Sequence, residues 1–253
     1  MDILLGFTIF LFGLIVGSFL NCVIYRMETG GSFLKGRSFC PHCKKALSWQ
    51  DLMPVFSFLI LKGKCRYCRK SISWQYPLVE LATGLLFLLI FNLQPSILNI
   101  AYFWIIGCFL VVIFVYDLKH YLIPDSVIYP AILISGVCLL YGKHDMLNTA
   151  YSAVGAAALF LFIVLISRGK WMGTGDIKLA FLMGLFLGWP AILIALLSAF
   201  YIGALVGVGL IMSGRKTLKS EVPFGPFLVA GTFLAMFFGE KLIDWYLIFF
   251  LIK

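Results

Sequence analysis

The chain has 253 residues, of which 62% are hydrophobic and only 12% charged, with a formal net charge of +9 and a mean hydropathy of +1.03. Soluble domains carry roughly 45 to 50% apolar and about 25% charged residues, so this composition excludes a soluble globular domain and a disordered chain alike. It describes an all-α polytopic membrane protein.

The first apolar run, Asp2 to Ile24, lacks a basic flank and a small-residue cleavage site, so it is expected to stay attached as the first transmembrane helix (1–24) rather than be removed as a signal peptide. Residues 25–76 form the one long polar stretch and are expected to fold as a small cytoplasmic zinc-binding domain. The remainder, 77–253, reads as a helical bundle with spans near 77–93, 98–116, 126–141, 149–167, 178–189, 191–212 and 223–238. With spans of about 20 residues each, the total comes to about eight. The segment Leu242 to Ile252 is expected either to extend the last helix or to lie in the interface.

The polar stretch contains Cys40-Pro-His-Cys43 and Cys65-Arg-Tyr-Cys68, two Cys-x-x-Cys pairs with 21 residues between them. That spacing suits four thiolates around a closed tetrahedral zinc ion. Lys44, Lys45, Lys64, Arg66, Arg69 and Lys70 surround the pairs and favour the thiolate form. An insert of about 50 residues has little core of its own, so metal binding would contribute to its folding. Four sulfurs leave no open position, which makes the metal structural; His42 is a bystander. Two disulfides are the alternative, disfavoured in a reducing cytoplasm. Cys22, Cys108 and Cys138 read as small buried side chains in apolar spans.

Lys and Arg gather in short cytoplasmic loops. With the N-terminus outside, the inner loops hold 17 of the 20 basic residues: ten from Arg26 to Lys70, Lys119, three from Arg168 to Lys178, and three from Arg215 to Lys219. Only Lys143, Lys241 and Lys253 fall outside. The positive charge is thus explained by topology and by anionic lipids of the inner leaflet; no nucleic-acid partner is needed.

Two aspartates then stand out at the cytoplasmic membrane edge, where carboxylates are expensive and usually functional. Asp117 closes the run from Ile105 to Tyr116, at a helix C-terminus where the macrodipole disfavours an anion. Asp176 ends Gly173-Thr-Gly-Asp176, whose glycines permit positive φ and close backbone approach, so the string can bend sharply and push the carboxylate toward a partner. Asp176 also has a plain role as a cap of a helix starting at Ile177. Asp125, after Pro124, reads as a cap or first-turn acid of the next helix. The small residues Gly203, Ala204, Gly207 and Gly209 are expected to allow close helix approach.

Several strings together resemble the type IV prepilin peptidases, polytopic GxGD aspartyl proteases that often also methylate their product. They are Gly17-Ser-Phe-Leu-Asn21 with Tyr25-Arg26, the two cysteine pairs, Tyr76-Pro-Leu-Val-Glu80-Leu, Asp117 with Ile123-Pro-Asp125, Met172-Gly-Thr-Gly-Asp176-Ile-Lys178-Leu, and Pro223-Phe-Gly-Pro226-Phe. In that family the catalytic aspartates match Asp117 and Asp176. The resemblance implies a multi-pass protein of the bacterial inner membrane that removes the leader of prepilins or pseudopilins at the cytoplasmic face. It implies also S-adenosylmethionine as methyl donor for the new N-terminus. No glycine-rich Rossmann fingerprint is present, so such a site must be built differently. Asn21, Tyr25, Arg26 and Glu80 are the candidates, each with a structural alternative in lipid anchoring, the aromatic belt or helix bridging.

A protease without methyl transfer and a proton-coupled transporter are the alternatives; the latter lacks an inverted-repeat signal. A scaffold using only its zinc domain leaves Asp117 unexplained. Metalloprotease chemistry lacks a His-Glu-x-x-His, since His42, His120 and His144 are scattered. Oligomeric state and the particular pilin substrate stay open at this level.

Overall fold

The computed structural model describes residues 3–31, 36–93, 96–141, 145–214, 217 and 222–251. Lys35, Lys143, His144, Arg215, Lys216, Lys219 and Lys253 lie outside the described residues. The elements in order are α1 (Ile3–Thr29), a 3-10 turn at Trp49–Leu52, the short α2 (Phe56–Ile60), α3 (Gln75–Leu93), α4 (Ile97–His120), α5 (Asp125–Tyr141), α6 (Met146–Ser167), α7 (Thr174–Leu187), α8 (Ala191–Met212) and α9 (Gly225–Leu251). The segment from Leu242 therefore continues the last helix.

Six of these helices, α1, α3, α4, α6, α8 and α9, are long and apolar enough to cross a membrane. The two further spans expected from sequence, at 126–141 and 178–189, are the 17-residue α5 and the 14-residue α7. At 1.5 Å per residue α7 is only about 21 Å long, short of the roughly 30 Å of hydrocarbon. It is tolerated because protein surrounds it: Leu179, Ala180, Leu182 and Met183 are fully buried, the pattern of a helix apolar on all sides.

The chain divides into two compact units, Met1–Val112 and Ile113–Lys253, with the boundary inside α4. In the first, α1 packs on α3 through glycine. A Cβ at Gly13 would lie 2.7 Å from the Gly84 Cα, and one at Gly17 the same distance from the Glu80 Cα. Gly13 and Gly17 thus form a small-x-x-x-small seam that lets two backbones touch. Trp104 of α4 stacks on Phe87 of α3 at 4.6 Å and its indole N–H donates to the Phe87 carbonyl.

In the second unit α7 is central, packed against α5, α6 and α9, while α8 pairs with α9. Gly184 of α7 rests on the Ala153 backbone of α6, and Gly231 of α9 on the Ala195 carbonyl of α8. The close approaches therefore fall at these glycines. Of those expected from sequence, a Cβ at Gly203 would meet the Phe227 ring at 3.2 Å, but nothing lies within 4 Å of one at Gly207 or Gly209, and Ala204 is exposed; those positions of α8 face outward. The turn from α7 to α8 is held by Asn148, whose Oδ1 accepts the Trp189 amide at 2.7 Å and whose Nδ2 donates to the Trp189 carbonyl. Cys22, Cys108 and Cys138 are half-buried rather than fully enclosed.

Candidate functional site

Asp117 lies in the last turn of α4 and Asp176 in the first turn of α7; their residues are 4% and 8% exposed. The chain leaves α4 through Tyr121, in left-handed backbone with φ 56°, and its amide bonds the Asp117 carbonyl. It then runs through Ile123, which is buried, and Pro124 into α5.

Ile123 is the spacer of the site. A Cβ at Gly175 would meet the Ile123 Cβ at 3.1 Å, and one at Gly225 would meet its Cδ1 at 3.4 Å. Gly225 is in turn so close to Asp117 that its Cβ would lie 2.5 Å from Oδ2. Asp117, the start of α9 and the start of α7 thus gather round one side chain, and the two carboxyl groups interact electrostatically.

The glycines of Gly173-Thr-Gly-Asp176 act differently from the expected sharp bend. Gly173 is an extended N-cap, with φ −81°, and α7 already begins at Thr174, so no positive φ is used at either glycine. Gly175 is required for proximity: a side chain there would press on Ile123. Asp176 stands three residues beyond the cap and bonds the Gly173 backbone, half of a capping box. Its capping role and its position facing Asp117 coexist.

The anion that α4 disfavours at its C-terminus is received by another helix. Gly225, the first residue of α9, donates its backbone amide to Asp117, so the carboxylate sits at the positive end of the α9 macrodipole. The sequence signal was Phe224-Gly225-Pro226, a helix start with proline just inside it, although nothing local named its partner. Asp125 does open α5, and it also pairs with Lys178 of α7 at 2.5 Å, with the lysine ammonium over the Tyr129 ring.

The four cysteines of the insert converge: their sulfurs lie within 4.8 Å of one another, and Cys40 and Cys68 are 3.9 Å apart. Zn–S bonds of about 2.3 Å in a tetrahedron require S···S distances of about 3.8 Å, so the set fits that ion. The halves are structural copies offset by 25 residues. Cys40 and Cys65 accept from Lys44 and Arg69 and donate to Lys45 and Lys70; Leu47 and Ile72 close the loops onto Ser38 and Gly63. Lys44 and Arg69, after the second cysteines, both have φ near +60°.

Asp51 ties the 3-10 turn to the second copy. It accepts from the Ser48 amide and hydroxyl, Arg66 Nε at 2.6 Å and Tyr67 Oη. Burial works against its charge, but the bonds from Ser48, Arg66 and Tyr67 outweigh it and lower the pKa to about 2. Its contribution is therefore fully present above the ordinary carboxylate range and is lost as pH falls through about 2.

The remaining polar candidates line the same end of the α1–α3 pair. Asn21 is buried; it donates to the Tyr76 carbonyl and accepts from Gln75 Nε2, a partner missed from sequence. Tyr25 meets Phe39 edge-on at 5.9 Å, and Arg26 donates to the Gly36 carbonyl. Glu80, 6% exposed, accepts the Val55 amide at 2.7 Å and bonds the Ser18 side chain.

Comparison with known proteins gives the chain's relatives. A family model described as the bacterial peptidase A24 N-terminal domain matches residues 11–93, and one described as the type IV leader peptidase family matches residues 104–208. The prepilin leader peptidase/N-methyltransferase of Aeromonas hydrophila is 32% identical over 271 residues, spanning 94% of this chain and 92% of that protein. The chain belongs to the type IV leader peptidase family. Another relative, the prepilin leader peptidase/N-methyltransferase of Bacillus subtilis (strain 168), is 33% identical over 248 residues, with 94% and 96% of the two chains covered. That of Burkholderia pseudomallei (strain 1026b) is 36% identical over 269 residues, covering 93% and 85%. No solved structure matches the chain. The four cysteines fall within the first matched range, and Asp117 and Asp176 within the second.

Proposed function

We propose that this leader peptidase is a multi-pass inner-membrane aspartyl endopeptidase that removes the leader of prepilins or pseudopilins, with Asp117 and Asp176 as its catalytic pair. The observation that carries this is that the starts of α7 and α9, at Gly175 and Gly225, both close on Ile123 beside two buried carboxyl groups, one of them bonded by the first amide of α9. Two carboxyl groups at one site share a proton. The ionised member takes a proton from a water molecule whose oxygen attacks the scissile carbonyl. The protonated member donates to the carbonyl oxygen, and the amine leaves with a proton as the tetrahedral intermediate collapses. The titration belongs to the pair, and either assignment of acid and base satisfies it.

The topology we propose puts the N-terminus outside and both aspartates at the cytoplasmic face, on the strength of the basic loops. The metal is zinc with a structural role, held by Cys40, Cys43, Cys65 and Cys68.

Methyl transfer is the second activity, supported by the names of the relatives. The groups near the α1–α3 end suit S-adenosylmethionine chemically: a guanidinium for its carboxylate in Arg26, a carboxylate for its cationic part in Glu80, an aromatic face in Tyr25 and an amide in Asn21. When bound, that co-substrate supplies an electrophilic methyl group for the amine exposed by cleavage. Gln75 fixes the Asn21 amide, and Ser18 and Val55 orient Glu80.

The test is the full chain in liposomes with a prepilin-like peptide and labelled S-adenosylmethionine. Cleavage at the leader junction followed by label on the new N-terminus supports both activities; cleavage without label leaves a protease only, and no cleavage rejects the reading.

A further inference from the structure

One group of exposed apolar side chains belongs to no spanning helix. Between the 3-10 turn and the end of α2, Trp49 is 73% exposed, Leu59 62% and Ile60 74%, and Leu52, Met53 and Phe56 are exposed as well. Within α2 only Phe58 is buried, its ring tilted against that of Trp74 at 4.9 Å, and Trp74 is itself 68% exposed. So many exposed apolar side chains in one twelve-residue segment are of the kind that mark an interaction surface.

Its depth follows from one hydrogen bond. Val55 donates to Glu80, and Glu80 is the sixth residue of a 19-residue span, Gln75–Leu93. At 1.5 Å per residue that helix is about 28 Å long, barely the roughly 30 Å hydrocarbon thickness, so nearly all of it must lie in the membrane. Glu80 is then about 8 Å along it from the insert side, and Val55 is held at that level.

The backbone there is built for a place without water. Val55 has φ 61° and ψ −49°, and the Phe56 amide bonds the Pro54 carbonyl at 2.6 Å, a γ-turn of the rare strained form. A β-branched residue adopts this only where its surroundings impose it. Glu80 takes the amide that the turn leaves over, while Ser57 and Leu59 donate to Met53 and Val55, and Pro54 has no amide to satisfy. Non-helical backbone at membrane depth demands such pairing. Lys62 and Lys64 follow directly and are exposed, charges that suit anionic headgroups.

We infer that Trp49–Ile60 is a re-entrant wedge seated in the headgroup–acyl boundary of the bilayer that carries α1 and α3. The metal insert is thereby anchored to anionic lipid as well as to its two flanking helices, with Glu80 as the polar fastening of the wedge. This does not depend on the proposed peptidase activity.

The test places a photoreactive amino acid at position 59 or 60, with exposed position 42 of the first cysteine loop as control. The full metal-loaded chain is reconstituted in phosphatidylethanolamine–phosphatidylglycerol nanodiscs. Retention of one metal ion per chain verifies the fold. Phospholipid adducts at 59 and 60 should exceed those at 42 by about tenfold, as for an interfacial element. Adducts to peptides of this or another copy would reassign the patch to protein docking and overturn the inference, as would lipid labelling no higher than at 42. Independently, shallow brominated lipid should quench the wild-type fluorescence more than that of Trp49→Phe; equal quenching also overturns it.

Discussion

Gly225 and Asp117 lie so close that any side chain at 225 would displace the carboxyl group: a Cβ there would stand 2.5 Å from the Asp117 Oδ2. The same closeness lets the first amide of α9 donate to the carboxylate. An anion that would be misplaced at the end of α4 is stabilised by the beginning of α9.

Gly225→Ala separates this contact from helix formation. Alanine favours a helix by about 0.8 to 1 kcal/mol over glycine, so α9 should form at least as well, whereas Asp117 must move. We expect prepilin cleavage to fall by about 100-fold, the scale of an ångström-level misplacement of a reacting group. Unchanged cleavage in liposomes would show that Asp117 does not need this position.

Asp117→Asn and Asp176→Asn should each abolish cleavage while the protein still inserts. Groups that work as one unit are strongly non-additive, so the double variant should be no worse than either single one. Methylation of a substrate already cleaved should persist in both. Full peptidase activity in either single variant would reject the pair.

Asp51→Asn removes the charge that gathers Ser48, Arg66 and Tyr67. Hydrogen bonds to a charged group contribute about 1.5 to 3 kcal/mol, so the insert should lose metal to a chelator faster than wild type. Cys65→Ser, which removes a buried thiol of the quartet, should abolish stoichiometric zinc binding. Equal release rates in Asp51→Asn and wild type would assign that aspartate no part in holding the second cysteine loop.

Gly17→Val tests the seam between α1 and α3. Its side chain would collide with the Glu80 Cα and the Thr83 side chain, and overpacking of this kind costs about 1 to 3 kcal/mol. The expected result is a lower midpoint in thermal denaturation in detergent. An unchanged midpoint would mean that the two helices have room to separate.

Gly173, Gly175 and Asp176 show how far the chain could be read directly. Their importance was visible from the motif; of the two reasons read there, close approach holds at Gly175, whereas the positive-φ bend does not occur. Both glycines have ordinary backbone angles and α7 starts at Thr174; Gly175 is needed because Ile123 lies against it. The small residues Gly207 and Gly209 misled in the opposite sense, since small size permits close packing without causing it. Gln75, Asp51 and Val55 were not singled out at all, and Gly225 only as part of Pro223-Phe-Gly-Pro226-Phe, because an amide or carboxyl group carries no local mark of a partner far away in the chain.

The sequence by itself determined the membrane class, the long apolar helices and the cysteine quartet, since hydropathy, span length and Cys-x-x-Cys spacing are properties of adjacent residues. Only the tertiary structure decided which groups meet: Asp117 with the start of α9, Glu80 with the Val55 turn, and one cysteine loop with its copy. Those contacts arise from helix packing, where the absence of a Cβ or the direction of one amide sets the distance.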